Sequence, residues 1–262
     1  MTTLSEIAAF PIKALDPTEL NRSGISSIGG LENDRTYALV DEDGNYINGK
    51  STDRVHRLRT EYDLDDGTVI LHTPQSRERR FDLEDDDDEF ESWLSEYFEM
   101  SVSLEREAGG GLTDGAVYGG DVKTGPTLVS EATLREVASW FDGIDPEEMR
   151  LRLRPNLVVS DTPPFWEDRL VTGDGRRIQI GDITFAATEP IPRCIVPARH
   201  PHTGEQYEEF QRIFVENREA TFPEWASEDV FDHFFTLTVG LSVLDGSEHA
   251  LRVGDSVTIL DK

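Results

Sequence analysis

The chain has 262 residues, enough to bury a sizeable core as one large domain or as two smaller ones. Its 53 acidic residues outnumber 25 basic ones and give a formal charge of −28. That charge excludes general affinity for nucleic acid or for an anionic membrane, because both repel a polyanion. The single cysteine excludes an intramolecular disulfide and a protein-held iron–sulfur cluster, which needs about four thiolates.

The surplus of acid also indicates the solvent in which the protein works. Only 4 of the basic residues are lysine and 21 are arginine. The self-repulsion of a carboxylate-rich, lysine-poor surface is screened when the Debye length falls to ~3 Å at 1 M salt, so we interpret the composition as that of a halophile. No apolar run approaches the ~20 residues of a spanning helix, and the N-terminal sequence lacks a signal-peptide pattern, so we expect a cytoplasmic protein.

The first third of the chain predicts short strands separated by turns. Strand-forming stretches occupy residues 5–13, 35–48 and 67–74, and DEDGN (Asp41–Asn45) predicts a hairpin turn. One amphipathic helix follows from apolar residues spaced i, i+3, i+4, i+7 and i+8, with the acidic run 82–91 supplying charge at its N-terminus. These apolar residues are Phe90, Trp93, Leu94, Tyr97 and Phe98.

The glycine-rich stretch Arg106–Asp121 predicts a boundary between two domains, residues 1–107 and 108–262. It contains neither GK[ST] nor GxGxxG between a strand and a helix, so it does not predict a phosphate-binding loop.

The second part predicts two more helices among strands. One helix has Leu134, Val137, Ala138 and Phe141 on one face, and the other is Glu208–Arg218. Strands are predicted in PNLVVS, RRIQIGDITFAAT, FFTLTVGLSVL and VGDSVTIL. The predicted fold class is therefore mainly β with some helices (α+β), barrel-like, in two closely packed parts.

Cys194 lies in PIPRCIVPARHPHTGE, and its chemistry leaves several roles open. Free cysteine is often a buried core residue. Arg193 beside it would favour the thiolate, and the turn-rich sequence that follows places it at a strand end, where functional groups collect. These features favour a nucleophile or a metal ligand. A zinc site would add His200 and His202, although no CxxC or HExxH frame surrounds them.

Several basic residues are candidates for holding an anion. Arg150, Arg152 and Arg154 alternate in RLRLRPN, and on a strand they would point to one face and line a cavity together. A charged strand edge paired with surface carboxylates is the alternative. Lys13 follows a predicted strand and Arg35 precedes one, and a set of such residues could hold a phosphate.

Taken in order, these stretches resemble MOSC-domain proteins with a MOSC N-terminal β-barrel domain, the group that includes the mitochondrial amidoxime-reducing component. FPIKALDPTELNRSGISSIGGLENDRTYALVDEDGNYI is similar to the N-terminal module. RLRPNLVV, PFWED, IGDITF, PRCIVPARHPHTGE and LRVGDSVTIL are similar to successive motifs of the MOSC domain. The resemblance covers nearly the whole chain and implies a MOSC barrel-like domain packed against an N-terminal β-barrel-like domain.

The resemblance implies a molybdenum cofactor, molybdopterin with its metal. Cys194 matches the catalytic cysteine whose thiolate binds the metal directly, and a thiolate is a soft ligand that suits a metal already bound by sulfur. Glu167 and Asp168 match the acidic pair of the PFxED motif, expected near the site. The residues that match positions at the pterin and its phosphate are Lys13, Arg35, Arg154, Asn156 and Arg193.

The chain also departs from the family pattern. The family's C-S-R-C is IPRC here (Ile191–Cys194), and V-D-P-x-T-G-E is ARHPHTGE, with His200 in the acidic position. Leu170 replaces the tryptophan after PFxED, and Ala14 replaces the serine after the lysine. The metal ligand and most anion contacts are kept, whereas the surroundings that handle substrate and protons differ.

The resemblance implies two functions from different classes. The first is a molybdenum-cofactor oxidoreductase that reduces N-hydroxylated or related oxidised small molecules. Its electrons would come from a separate donor such as a ferredoxin or a flavoprotein, since no four-cysteine domain follows VTILDK. The second is a carrier of the cofactor or its sulfur without substrate turnover, and a cysteine hydrolase is a third alternative. Neither nucleic acid nor a membrane is an expected partner.

Overall fold

The structure is a computed structural model that describes residues 1–74, 76–85, 87–107, 110–112, 125–171 and 176–260. Its strands are β1 (Thr3–Ala9), β2 (Thr18–Leu20), β3 (Arg22–Ser23), β4 (Tyr37–Val40), β5 (Arg59–Asp63), β6 (Thr68–Thr73), β7 (Ser76–Asp82), β8 (Ser103–Arg106), β9 (Thr127–Ser130), β10 (Leu157–Ser160), β11 (Arg177–Ile180), β12 (Ile183–Pro192), β13 (Thr236–Asp245), β14 (Leu251–Arg252) and β15 (Val257–Leu260). Its α-helices are α1 (Arg54–Arg57), α2 (Asp87–Phe98), α3 (Glu131–Ala138), α4 (Pro146–Leu153) and α5 (Phe210–Ala220). Short 3₁₀ turns cover Trp166–Arg169, Val196–Ala198 and Glu228–Val230.

In the described part of the chain, the largest sheet has eight strands in the order β15–β11–β12–β13–β9–β10–β1–β2. Its neighbours run antiparallel, except that β9 and β10 are parallel. Two parallel strands need a crossover connection, which α3 and α4 supply. Buried aliphatic and aromatic side chains from this sheet form one apolar core. The helices α3, α4 and α5 form a second core with β9 and β10.

A third core belongs to the N-terminal part, where β5, β6 and β7 form a sheet and β4 pairs with β8. The predicted amphipathic helix is confirmed as α2, because Phe90, Leu94 and Phe98 are buried in this core. The predicted hairpin turn is also confirmed: the Asp41 amide donates to the Asn45 carbonyl (3.0 Å). The predicted fold class, mainly β with some helices, is confirmed, and no helix among the described residues is long and apolar enough to cross a membrane.

The first strand of the chain belongs to the large sheet. β1 pairs with β10 and with β2, and Thr3 lies opposite Ser160. Sheet pairing therefore joins residues from both sides of the predicted boundary between residues 107 and 108. Residues 108–109 and 113–121 of the glycine-rich stretch lie outside the described residues, and the division into two domains stays a prediction.

The prediction that RLRLRPN is a strand is wrong, because most of this stretch lies in α4. Asp145 caps the helix by accepting from the Glu148 amide (2.8 Å), and Pro146 occupies its first turn. On a helix, residues two apart point to different sides. Arg150 is therefore turned away from Arg152 and pairs with Glu6, Glu19 and Glu147. The helix ends at Arg154, which adopts a left-handed backbone conformation.

A buried group of ionisable residues joins the PFWED segment to α5. Asp168 and Arg218 form an ion pair with both side chains 5% exposed or less, and the Arg218 guanidinium lies over the Phe165 ring (4.3 Å). Glu167 is fully buried: its Oε2 accepts from Thr133 Oγ1 (3.0 Å), and its Oε1 has no partner among the described residues. Burial, and secondly the Asp168 charge, raise the pKa of Glu167, which favours a protonated carboxyl.

We predict that Glu167→Gln stabilises the protein more at pH 8 than at pH 5. The unfolded chain releases the glutamate proton above its ordinary pKa, about 4.5, whereas the folded chain keeps it, so the wild-type free energy of unfolding falls as the pH rises. Glutamine does not titrate. Thermal unfolding of both proteins at the two pH values is the measurement, with the exposed Glu219→Gln as control. A difference in melting temperature that is independent of pH would contradict the prediction.

Candidate functional site

A cavity of about 250 Å³ lies between the N-terminal part and the second half of the chain. Its wall comes from residues 13–17, 48–50, 55–56, 151–154, 191–194 and 196–202, together with Arg35 and Thr127, although not every residue of these ranges lines it. The ends of α4 and β12 and the 3₁₀ turn Val196–Ala198 bring the second-half residues to the wall. The cavity exists only because segments far apart in sequence meet here.

The wall of the cavity is cationic although the chain is strongly acidic. Seven positively charged residues line it within the described part of the chain: Lys13, Arg35, Lys50, Arg152, Arg154, Arg193 and Arg199. The carboxylate at this wall, Asp16, accepts from Arg59 Nε (2.8 Å) and from the Thr60 amide (2.8 Å). Like charges in a low-dielectric cleft focus the field, so this arrangement favours an anionic ligand.

Two of the predicted anion-binding residues flank one aromatic ring. The guanidinium carbon of Arg154 lies 4.1 Å from the centroid of the Phe10 ring, and that of Arg35 lies 5.1 Å from it. Asp34 pairs with Arg35 and accepts from the Phe10 amide (2.9 Å). Burial, and secondly the charge of Arg35, lower the pKa of Arg154 to about 10, so Arg154 is still charged at neutral pH.

Arg35 and Arg154 share a backbone feature. Each has φ of 53°, in the left-handed region, which costs a non-glycine residue about 1 kcal/mol. Glycine would adopt this conformation without that cost, so the arginine side chains are retained at a cost in stability.

The remaining predicted site residues differ in how they meet the cavity. Lys13 is 8% exposed, lines the wall, and its Nζ lies 3.4 Å from the centroid of the Tyr46 ring. Asn156 is 1% exposed and is not among the described residues that line the cavity. Its amide donates to the Ala8 carbonyl (3.0 Å) and accepts from the Thr127 amide (3.1 Å). Asn156 therefore holds β9 and β1 together.

Arg193 ties the cysteine segment to its surroundings. Its Nε donates to the Leu237 carbonyl (2.9 Å) and its Nη1 to the Leu153 carbonyl (3.0 Å), at the C-terminal end of α4. Cys194 follows at the cavity wall, two residues beyond the end of β12, so the predicted strand-end position is confirmed. The thiol residue is exposed, which contradicts the alternative of a core cysteine.

The zinc alternative finds no support in the structure. Among the described residues, no group of three His, Cys, Asp or Glu residues is placed to hold a metal ion. His200 Nδ1 instead accepts from the His202 amide (3.1 Å), and Nε2 lies 3.9 Å from Glu148. The acidic pair Glu167 and Asp168 is buried beside α5 and is not among the described residues at the cavity wall.

The wall residues that the sequence analysis did not single out include three that can carry a positive charge: His56, Lys50 and Arg199. Arg199 Nε is buried without a hydrogen-bond partner in the described part of the chain, and so is Nε2 of His56, a residue 9% exposed. No motif marks His56, because it lies on a one-turn helix with no periodic pattern. Lys50 could have been noticed because the chain contains only four lysines.

The fold and the cavity define a mainly β protein with an exposed cysteine at the wall of a cationic cavity. Family models agree: the MOSC N-terminal beta barrel domain matches residues 1–108, and the MOSC domain matches residues 122–258. The chain belongs to the MOSC-domain family.

Curated proteins with similar sequences share one name. Molybdenum cofactor sulfurase of rice (Oryza sativa subsp. japonica) is 22% identical over 243 residues, which cover 77% of this chain and 29% of that protein. Molybdenum cofactor sulfurase of Caenorhabditis briggsae is 25% identical over 227 residues, 79% of this chain and 30% of that protein. The chain thus spans less than a third of either relative. A crystal structure of the YUAD protein from Bacillus subtilis aligns with a TM-score of 0.38 and 12% identity, covering 98% of this chain and 94% of that one.

We predict that Asn156→Ala lowers the free energy of unfolding by about 2–3 kcal/mol, because it leaves buried backbone groups of Ala8 and Thr127 with fewer partners. Urea unfolding is the measurement. Asn217→Ala is the control, because the Asn217 amide donates within its own helix, to Ile213 (2.8 Å), and its loss should cost less. If Asn156→Ala kept full stability and lost only ligand binding, Asn156 would belong to the binding site instead.

Proposed function

We propose that this protein binds the molybdenum cofactor in the cationic cavity and works as an oxidoreductase. Its substrates would be N-hydroxylated or related oxidised small molecules, and its electrons would come from a separate donor such as a ferredoxin or a flavoprotein. The observation that carries the proposal is the cavity itself: seven cationic residues surround it in a chain of charge −28, and an exposed thiol lies at its wall. Membership of the MOSC family and relatives named molybdenum cofactor sulfurase support it.

The chemistry of the wall suits this cofactor, which carries a phosphate at one end and sulfur ligands around a metal at the other. Lys13, Arg35 and Arg154 offer the charged donors that bind phosphate oxygens. Cys194 offers a thiolate, the soft ligand that a sulfur-bound metal accepts. Arg193 is committed to backbone carbonyls, so it acts as the residue that positions Cys194.

When bound, the cofactor supplies two-electron redox chemistry and oxygen-atom transfer. Reduction of an N–OH group to N–H consumes two electrons from the donor and two protons, and it releases water. The residues of this chain bind and orient. The arginines would neutralise the anion, Phe10 contacts two of them through its ring, and the exposed position of Cys194 leaves this residue open to small molecules from solvent.

The second candidate is a protein that carries the cofactor or its sulfur without turning over a substrate. The observation that favours it is the name of the curated relatives, molybdenum cofactor sulfurase, although the chain spans less than a third of their length. Bound cofactor with no reductase activity on any N-hydroxylated compound, together with transfer to an apo-enzyme, would favour this candidate.

We predict that Cys194→Ser loses molybdenum and reductase activity while keeping its fold. Protein produced in a host that makes the cofactor should carry about one molybdenum per chain, and the serine variant well under a tenth of that, because a hydroxyl is a poor ligand for a soft metal site. Elemental analysis and a pterin fluorescence assay are the measurements. The neighbouring exposed residue supplies the control, Ile195→Ala. Metal-free wild-type protein from such a host would rule out the proposed function.

We also propose that the protein works in a salt-rich cytoplasm. Its free energy of unfolding should rise as KCl increases from about 0.15 M to about 2 M, because the Debye length falls and screens repulsion among surface carboxylates. Chemical unfolding with urea, which is uncharged, at each salt concentration is the measurement. A free energy of unfolding that stays flat or falls over this range would contradict the proposal.

A further inference from the structure

Arg199 is a cation at the cavity wall that the family pattern does not contain. It occupies the valine position of V-D-P-x-T-G-E, and His200 follows it in the acidic position. Replacement of Val–Asp by Arg–His changes the formal charge of this dipeptide from −1 to +1, with the histidine counted as neutral. Because Arg199 lines the cavity, the new positive charge belongs to the site and not to the outer surface.

A short 3₁₀ turn places Arg199 near Cys194. The turn Val196–Ala198 lies between the two residues, and the Arg199 amide donates to the Val196 carbonyl (2.9 Å) at its end. A 3₁₀ helix rises only about 2 Å per residue, so the two Cα atoms lie within roughly 12 Å of each other. Both residues line the same cavity, so a small molecule that meets the cysteine is within reach of the guanidinium.

The protein uses only part of the Arg199 guanidinium. Nη1 donates to the Gly204 carbonyl (3.1 Å) and so helps to close the turn that follows Arg199. Nη2 makes no hydrogen bond among the described residues, and it is not one of the buried polar atoms there, so it is accessible to a ligand. Arg199 therefore keeps donors for a group from outside the protein.

The charge of Arg199 is not neutralised within the described part of the chain. Three carboxylates at the wall or beside this turn each pair with a different arginine: Asp16 with Arg59, Glu148 with Arg152, and Asp53 with Arg57. The His202 ring at the same wall adds no charge at neutral pH, because burial, and secondly the charge of Arg59, lower its pKa. An anionic group of a ligand is the partner that this guanidinium lacks.

We propose that Arg199 binds an anionic group of the substrate, so that the cavity prefers N-hydroxylated small molecules that carry a carboxylate over neutral or cationic ones. The inference rests on the proposed function and names the substrate class of that same site. Lys13, Arg35 and Arg154, the residues proposed for the phosphate, come from other segments, whereas Arg199 shares its segment with Cys194. Arg199 is a specificity-determining residue in this role.

Matched amides, which lack the N–OH group, measure the preference without turnover. 4-Carboxybenzamide differs from benzamide by one carboxylate, and 4-(trimethylammonio)benzamide carries a cation instead. NMR titration of protein from a cofactor-making host should show 4-carboxybenzamide binding about tenfold more tightly than benzamide, which is the effect of a charge-assisted hydrogen bond, and the cationic amide binding most weakly. In Arg199→Gln, the carboxylated amide and benzamide should bind within about twofold of each other.

Two further variants separate binding from a structural role. Arg199→Lys keeps the charge and should retain part of the preference. Arg212→Gln removes an exposed arginine of α5 and should retain all of it. If Arg199 only closed its turn, Arg199→Gln would weaken all three amides alike, which would overturn the proposal. Arg199→Gln should also keep its molybdenum content, and loss of the metal would place Arg199 at the cofactor and overturn the proposal too.

The wild-type protein alone can refute the proposal if Arg199→Gln fails to fold, because equal binding of the three amides would leave no preference to explain. The two proposals can also fail separately. Wild-type protein from a cofactor-making host that carries neither molybdenum nor pterin would end the proposed function. The titrations of wild type and Arg199→Gln would then still decide whether Arg199 selects a carboxylate, because they need no turnover.

Discussion

The cavity wall depends on one aromatic ring that contacts two guanidinium groups. The like charges of Arg35 and Arg154 repel each other, and the π system of Phe10 attracts both cations. Asp34 adds a carboxylate to Arg35 and fixes the Phe10 backbone. Phe10 directly follows β1, so the large sheet determines where the two charges lie.

Charge is distributed unevenly in this protein. Carboxylates dominate the chain as a whole, while seven of its 25 arginines and lysines line one cleft. The positive potential inside this cleft attracts an anionic ligand, although the net charge of the whole molecule repels it. Arg193 has a structural role in this cleft. Its guanidinium donates to the carbonyls of Leu153 and Leu237, and these hydrogen bonds fix the position of the neighbouring Cys194.

The sequence predicted correctly those elements that depend only on residues close together in the chain. The spacing of Phe90, Leu94 and Phe98 identified α2, because one apolar stripe is enough to bury a helix. The prediction for RLRLRPN was wrong because alternating arginines are also typical of a strand. Asp145 and Pro146, just upstream, start a helix, and these capping residues were the better signal. The role of Asn156 depends on Ala8, a partner more than 100 residues away in sequence, and no spacing rule reaches so far.

The position of β1 inside the large sheet constrains when this part of the protein can fold during synthesis. The ribosome makes β1 about 150 residues before its neighbour β10, and Thr3 pairs with Ser160 across that separation. Phe10, Lys13 and Arg35 follow β1 in the chain and cannot take up their final places before β10 has emerged. Cys194 is translated later still. The cavity is therefore complete only after Cys194 has been made, and any ligand that it takes must bind after that point.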